Sequence, residues 1–464
     1  MAETNPILIV VPTRNRPKNV RRFYNSWKEN TNGSSDVVLV TDEDDKNDYS
    51  YTGFMIEKNE RLSTTGKINI GVKNHLKGHK IIGFLGDDCT VDTENFEDVI
   101  VKSLSETRFG MLRPSNGFDV YDNPDHVFIT VELYNFLGWF AYPKLYHSFC
   151  DYVWRDIRDI LEKTSTGKYV NTKDVVFTHY NSIYFPDLKK DTLHNAVYEN
   201  KSNDEDKEIY DHWQYSDMRS IQTRIENMSD IIMITHNRLE YLKMSLPCLL
   251  AQDNKDFLLT IWDNGSRDDV IAYLDTIKDP RVLVIKSNEN IALAVVVSKL
   301  FERSTLTFIG KIDPDTIVSS DWLSRCVEAH NRTELGVIGG FHFRPEDLDG
   351  IEPKIDTING VGVWQKTHIG GCAFLMRRKD FTAYLGNGLY GFTEFQQAFQ
   401  RNGKINGYLW NPILYVEHME DARSPFCIKT KEYEDYKMET RGSTINDYTN
   451  AMYVNNNYLK INVK

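Results

Sequence analysis

Ile231-Ile232-Met233-Ile234-Thr235-His236-Asn237-Arg238 restates Ile9-Val10-Val11-Pro12-Thr13-Arg14-Asn15-Arg16. Each is a short apolar run that breaks into a polar turn, the pattern of a buried strand with side chains offered at its carboxyl end. Further along, two more features recur in the same order, roughly 220 to 240 residues apart. They are the acidic pairs Gly86-Asp87-Asp88 and Asp313-Pro314-Asp315, and the lone histidines His179 and His418. A near-constant offset in a fixed motif order predicts two copies of one domain. The predicted bounds are 1–225 for the first copy, with a linker from about 200, 226–425 for the second, and 426–464 for a C-terminal extension.

Each opening strand, Ile7 to Val11 and Ile231 to Ile234, runs through its polar loop into a helix-period segment, Asn19 to Trp27 and Leu239 to Leu250. A second strand follows and ends in an aspartate: Val37 to Val40 before Asp42, and Leu258 to Trp262 before Asp263. A third unit, Ile81 to Leu85 and Leu306 to Ile312, delivers the acidic pairs. Strands alternating with helices predict α/β architecture in each copy: a mostly parallel sheet flanked by helices, with ligands beyond the strands' carboxyl ends. The charged stretch Lys201 to Glu208 reads as a mobile loop, Ile209 to Met228 as the connection between the halves, and the Tyr- and Asn-rich end after His418 as a docked tail or acceptor-side extension.

With 464 residues, two domains of about 220 residues each bury a full core. No apolar stretch reaches the roughly 20 residues of a membrane helix, so no integral membrane segment is expected. Met1-Ala2-Glu3-Thr4-Asn5-Pro6 has no secretory pattern, and the expectation is a cytoplasmic protein, in the host cytoplasm if viral. Six scattered cysteines without metal-ligand spacing predict buried thiols. A formal net charge of −12 argues against a broad polyanion-binding surface while leaving room for a local basic groove.

The acidic pairs carry the chemistry. Two close carboxylates at a sheet edge are hard oxygen ligands that can share Mg²⁺ or Mn²⁺ with a substrate's phosphates. Each histidine ends a strand-like run, Val175 to His179 and Leu414 to His418, where its imidazole can face the same edge. Between pair and histidine, each half places a carboxylate near a helix start, Asp151 (with Asp156 competing for the role) and Glu394, suited to act as general base or to complement the helix dipole. Trp139 and Tyr142 suit either acceptor stacking or core packing. The run Asp42-Glu43-Asp44-Asp45 suits either a metal site or a solvated loop.

With these motifs in this order, residues 6 to 425 resemble two tandem GT-A fold glycosyltransferase domains of the family-2 type. The resemblance implies that the first loop holds the base of a nucleotide sugar, through Pro12, Thr13, Arg14 and Arg16 in one half and Thr235, Asn237 and Arg238 in the other. It implies base or ribose contacts for Asp42 and Asp263. Donor contacts are also expected of Arg61 and Lys67, from the intermediate segment Arg61 to Gly71, and of Asn290. It implies diphosphate and metal binding at Asp87 and Asp88, and at Asp313 and Asp315, with His179 and His418 as late metal ligands and Asp151 and Glu394 as bases. Because the first half has Gly86-Asp87-Asp88 where the family has a full DxD, Asp88 is the expected direct ligand and Asp87 the ribose-side group.

The implied enzyme is a metal-dependent, inverting hexosyl- or pentosyltransferase, bifunctional if both halves act. Its implied donor is a nucleotide sugar, with a UDP-sugar favoured, and its acceptor a glycan. Two alternatives stay open: transfer to a hydroxymethylated nucleobase in DNA, and one half decayed into a non-catalytic glycan-binding or scaffold domain. Asn288 to Val297, the second half's counterpart of Arg61 to Gly71, loses the usual glycine and polar helix face, so the copies are not expected to share a substrate.

Overall fold

The computed structural model describes residues 5–118, 122–181, 184–185, 202–385, 388–454 and 459. The chain divides into two compact units, Met1–Glu226 and Asn227–Lys464.

In the first unit, Ile7, Leu8, Ile9, Val10 and Val11 are all 0% exposed, because this strand is central and covered on both faces. It is β1 (Ile7–Pro12), followed by β2 (Ser35–Asp42), β3 (Met55–Asn59), β4 (Ile81–Phe84), β5 (Cys89–Val91), β6 (Gly110–Ser115), β7 (Val127–Thr130) and β8 (Lys168–His179). The sheet order is β3-β2-β1-β4-β7-β6-β8-β5. The first four strands are parallel, β7 runs antiparallel to both neighbours, and β5 pairs antiparallel with the end of β8. Two helices flank β1. Pro17–Asn30 begins on a proline, whose fixed φ suits a first turn, and buries Val20 and Phe23. Thr64–His75 is capped by the Ser63 hydroxyl, which accepts the Gly66 N–H at 3.0 Å. At Gly71 that helix lies so close to the sheet that a Cβ would meet Val40 at 2.7 Å and Val10 at 2.9 Å.

The second unit contains β9 (Ser229–Thr235), β10 (Phe257–Asn264), β11 (Val282–Ser287), β12 (Phe308–Ile312), β13 (Thr316–Val318), β14 (Ile338–Gly339), β15 (Ile355–Ile358), β16 (Val361–Gln365), β17 (Ala373–Arg377), β18 (Gly407–Trp410) and β19 (Val416–His418). Its sheet order is β11-β10-β9-β12-β17-β14-β18-β16-β15, with β13 and β19 as a separate pair. Strand for strand, the first seven positions repeat the first unit. The differences are the added β15–β16 hairpin and the break between β18 and β19, where Pro412 has no N–H for a ladder. Each unit is therefore mixed α/β, parallel over four strands and mixed beyond them, where β6 and β8, and β14 and β18, again pair parallel.

The predicted helix Leu239 to Leu250 coincides with the observed one, and Asn19 to Trp27 lies inside Pro17–Asn30. The expected mobile loop does not exist where it is described: Ser202–Tyr215 is a helix, with Lys201 outside the described residues. Its charges mark a solvated face, including the Lys207–Asp211 pair one turn apart at 2.8 Å, while Tyr210 and the fully buried Trp213 face inward. A second helix, Asp217–Glu226, completes the connection to β9. The tail forms helices Lys431–Arg441 and Ile445–Thr449. Among the described residues, no helix is long and apolar enough to cross a membrane.

Candidate active site

The turn after β1 is built on Asn15, whose φ of 53° is a left-handed conformation that asparagine tolerates better than most residues. Asn237 repeats it at 53° after β9. In the first unit, the Asn15 N–H donates to Asp45 Oδ2 at 2.8 Å. Asp45 also accepts from the Thr41 hydroxyl at 3.0 Å and the Tyr49 hydroxyl at 2.9 Å. Burial acts to raise its pKa, but these donors and Asn47 hold it down at about 2. The acidic run is thus not a solvated loop throughout: Asp45 pins the turn, and Asp42 meets cations. Asp42 Oδ2 lies 2.8 Å from Lys67 Nζ and 3.1 Å from Arg14 Nη1, and Arg14 reaches Asp44 at 2.8 Å.

The turn also reaches the acidic pair. Thr13 Oγ1 donates to Asp87 Oδ2 at 2.7 Å, and Arg16 Nη1 lies 3.1 Å from Asp87 Oδ1 and 3.8 Å from Asp88. Burial pushes the Asp87 carboxyl up, against the pull of Arg16; at Asp88 burial is outweighed by His179 and Arg16, and the carboxyl is lowered. Pro12, Thr13, Arg14, Arg16, Asp42, Arg61, Lys67, Asp87, Asp88 and His179 all line one cavity of about 260 Å³. The sequence reading missed its other walls, notably Asp125, His126, Tyr146, His147 and Asn181.

Register brings the histidine to the pair: Cys89, next after Asp88, lies opposite His179 across β5 and β8. His179 Nε2 is 3.4 Å from Asp88 Oδ1, while its Nδ1 is 3.5 Å from Asp125 Oδ2. Burial disfavours a charged imidazole, but Asp125 and Asp88 lift His179 to about 9. Asp125 itself sits at about 2 despite burial, held by His179, His126 and Asn116. Among the described residues, Asp88, Cys89 and His179 form a group of three able to converge on a cation. Burial drives the Cys89 thiol well above its usual range, and its Sγ lies 3.0 Å from His126 Nε2. The remaining oxygen and nitrogen donors suit Mg²⁺ or Mn²⁺: adjacent ligands about 2.1 Å from an octahedral ion are about 3 Å apart, close to the spacing of Asp88 and His179.

Asp151 stands in the first turn of helix Cys150–Thr164, outside the cavity walls, with Asn123 donating to its Oδ2 at 3.1 Å. Burial and the charge of Asp125 raise it to about 6. Tyr142, 4% exposed, is core packing, while Trp139 is half-buried; both rings pack on Trp213, at 4.8 and 5.9 Å respectively.

Asp206, on the helix misread as a loop, shapes the cavity. Its carboxylate, 1% exposed, accepts the backbone N–H groups of Tyr146, His147 and Ser148 at 2.7, 2.9 and 2.8 Å. Asp206→Ala leaves three N–H groups without an acceptor and is expected to cost about 3 kcal/mol in urea unfolding. An unchanged midpoint would show that water replaces the carboxylate at no cost.

The second unit keeps the motif positions but joins them differently. Asp263 is 0% exposed and meets no lysine or arginine in any described contact; its Oδ1 accepts the Ser266 N–H at 3.3 Å. Asn290 bonds Asn264 at 2.7 Å, and the Asn237 side chain accepts the Arg267 N–H at 2.8 Å. Thr235 Oγ1, whose counterpart Thr13 bonds Asp87, has no partner among the described residues, because Pro314 occupies the position of Asp87. Asp313 pairs with Lys311, and Arg238 with Asp315. Glu394 caps its own helix, Phe392–Arg401, by accepting the Gly391 N–H. The cavity at the Asn237–Arg238 turn, about 230 Å³, is walled by Ile428, Thr430, Glu432, Tyr433 and Tyr436 of the tail and does not include Asp313 or Asp315.

Residues 230–385 match the model of Glycosyl transferase family 2. The match falls on the second unit, from β9 to the helix after β17. No curated protein matches the chain significantly. Similar solved structures include the mannosyltransferase PcManGT from Pyrobaculum calidifontis in complex with GDP-Man and Mn²⁺, at 14% identity and a TM-score of 0.35, over 42% of this chain and 58% of that one. Residues 1–349 of S. aureus TarS with UDP-GlcNAc align at 12% identity and a TM-score of 0.34, over 41% and 58%. GalNAc-T7 with UDP, GalNAc and Mn²⁺ aligns at 13% identity and 0.33, over 41% and 43%. The chain thus spans little more than half the length of the first two.

Proposed function

We propose that the first unit is a cation-dependent glycosyltransferase centre that moves a sugar from a nucleotide sugar to an acceptor hydroxyl with inversion. The observation that carries this is the cavity where Asp88 and His179 stand 3.4 Å apart beside Thr13, Arg16 and Asp87. The family match lies in the second unit, and the shared strand order and histidine register support reading the first unit in the same way.

Asp88 and His179 would hold the cation, which supplies Lewis-acid stabilisation of the departing diphosphate, worth several kcal/mol. The chain's own residues do the rest. Arg14 and Lys67 hold Asp42 facing the base or ribose, and Arg61 faces the same cavity. Thr13 and Arg16 fix Asp87 on the ribose side of the pair. Asp125 holds His179 by Nδ1, leaving Nε2 toward Asp88. Asp151 takes the acceptor proton as the acceptor oxygen bonds the anomeric carbon and the bond to the diphosphate breaks.

A panel of UDP-, GDP-, CMP- and dTDP-sugars with Mn²⁺ tests the reading through release of nucleoside diphosphate or monophosphate. One donor is expected to turn over and to raise the melting temperature, with a UDP-sugar favoured. No release from any of them would sink it.

A further inference from the structure

Register sets the two acid–histidine sites residue against residue. Cys89 faces His179 and Thr316 faces His418, each directly after the second aspartate. Val127 faces Phe84 and Phe374 faces Lys311, so Asp125 corresponds to Cys372. Two residues past each histidine, Asn181 corresponds to Glu420. Both exchanges remake the surroundings of the second site.

With Cys372 in the place of Asp125, His418 Nδ1 pairs instead with the Tyr453 hydroxyl at 2.8 Å. Glu420 draws in the tail: Lys437 Nζ lies 2.8 Å from its Oε2, and the Tyr433 hydroxyl donates to its Oε1. That same Oε1 is 3.2 Å from Arg238 Nη2, while Arg238 Nη1 rests on Asp315 Oδ2. The guanidinium therefore lies against the carboxylate oxygen nearest His418, which is 3.7 Å from His418 Nε2. Arginine does not deprotonate to make way for a second cation. Access differs too: the Asp315 and His418 side chains are 3% and 6% exposed, against 23% and 19% for Asp88 and His179. Asp315 Oδ1 has no hydrogen-bond partner among the described residues, and it is closed to solvent.

We propose that Arg238, clamped by Glu420 and the C-terminal helices, takes the cation's place at Asp315 and His418, so that the whole chain binds one divalent cation, at Asp88 and His179. The count rests on the reading of the first unit given above. The second unit keeps the shape of the site with a resident side-chain cation.

Titrating the full chain with Mn²⁺ alone, and following the free ion by EPR, reads the stoichiometry. One site per chain is expected. Asp88→Asn should weaken it about 100-fold and Asp315→Asn should leave it unchanged. Two sites, one lost with each variant, overturn the inference and leave the first-unit reading standing. A single site that survives Asp88→Asn, or no binding at all, overturns both. Should Asp315→Asn fail to fold, the wild-type count stands without it, and Tyr453→Phe supplies the second variant. It should still bind one ion, and a new site there would overturn the assignment to Arg238.

Discussion

Asp88→Ala should lower turnover of the nucleotide sugar by about 10³-fold, equivalent to about 4 kcal/mol of transition-state stabilisation. Asp315→Ala, at the matching position, should keep turnover within about threefold of wild type wherever the protein stays folded. The asymmetry follows from what each carboxylate meets. Asp88 faces an open cavity, with His179 Nε2 3.4 Å away. Asp315 is closed in with Arg238 and is 2% exposed. Removing Asp88 leaves Asp87 paired with Arg16 and Thr13, so loss of the local fold is not the expected cause. Nucleoside diphosphate release at saturating donor, with Mn²⁺ varied, measures this. Equal turnover by wild type and Asp88→Ala would remove the cation from the mechanism.

The second large effect belongs to Asp151. Asp151→Asn keeps the contact with Asn123 and the place in the helix's first turn but removes the proton acceptor, and kcat should fall by about 10²- to 10⁴-fold. The pH profile separates this from a structural role. Burial and the charge of Asp125 raise Asp151 to about 6, and only the ionised carboxylate accepts a proton. Wild-type kcat should therefore be level above that pH and fall about tenfold per unit below it. The variant's residual rate should lose this acid limb while its Mn²⁺ dependence stays unchanged. If the limb persists in Asp151→Asn, another group is the base.

Much of this was legible because it is local. A β-branched run, a left-handed asparagine, an arginine and two acidic residues at a strand's end are set by neighbours a few positions away, and they recur in both halves. Arg61 and Lys67 line the same cavity as Asp87, Asp88 and His179. Asp125 was not legible: it sits before a strand with no motif of its own, and its counterpart is Cys372, so the repeat carries no signal for it. Asp206 was missed because its charge, counted along the chain, looked like solvent exposure, whereas it lies buried under three backbone N–H groups from residues about 60 positions earlier.

The sequence by itself determined two α/β units with the same order of strands, and the acids, arginines and histidines at their carboxyl ends, since periodicity and turn chemistry act over short range. Only the tertiary structure decided which set stays open. In the first unit, Asp88 and His179 face a cavity and Asp125 holds the imidazole. In the second, Glu420, Lys437, Tyr433 and Tyr453 converge on Arg238, Asp315 and His418. That closure depends on long-range burial: taking charged groups out of water is costly unless opposite charges meet them, and the tail supplies those partners only once it has docked.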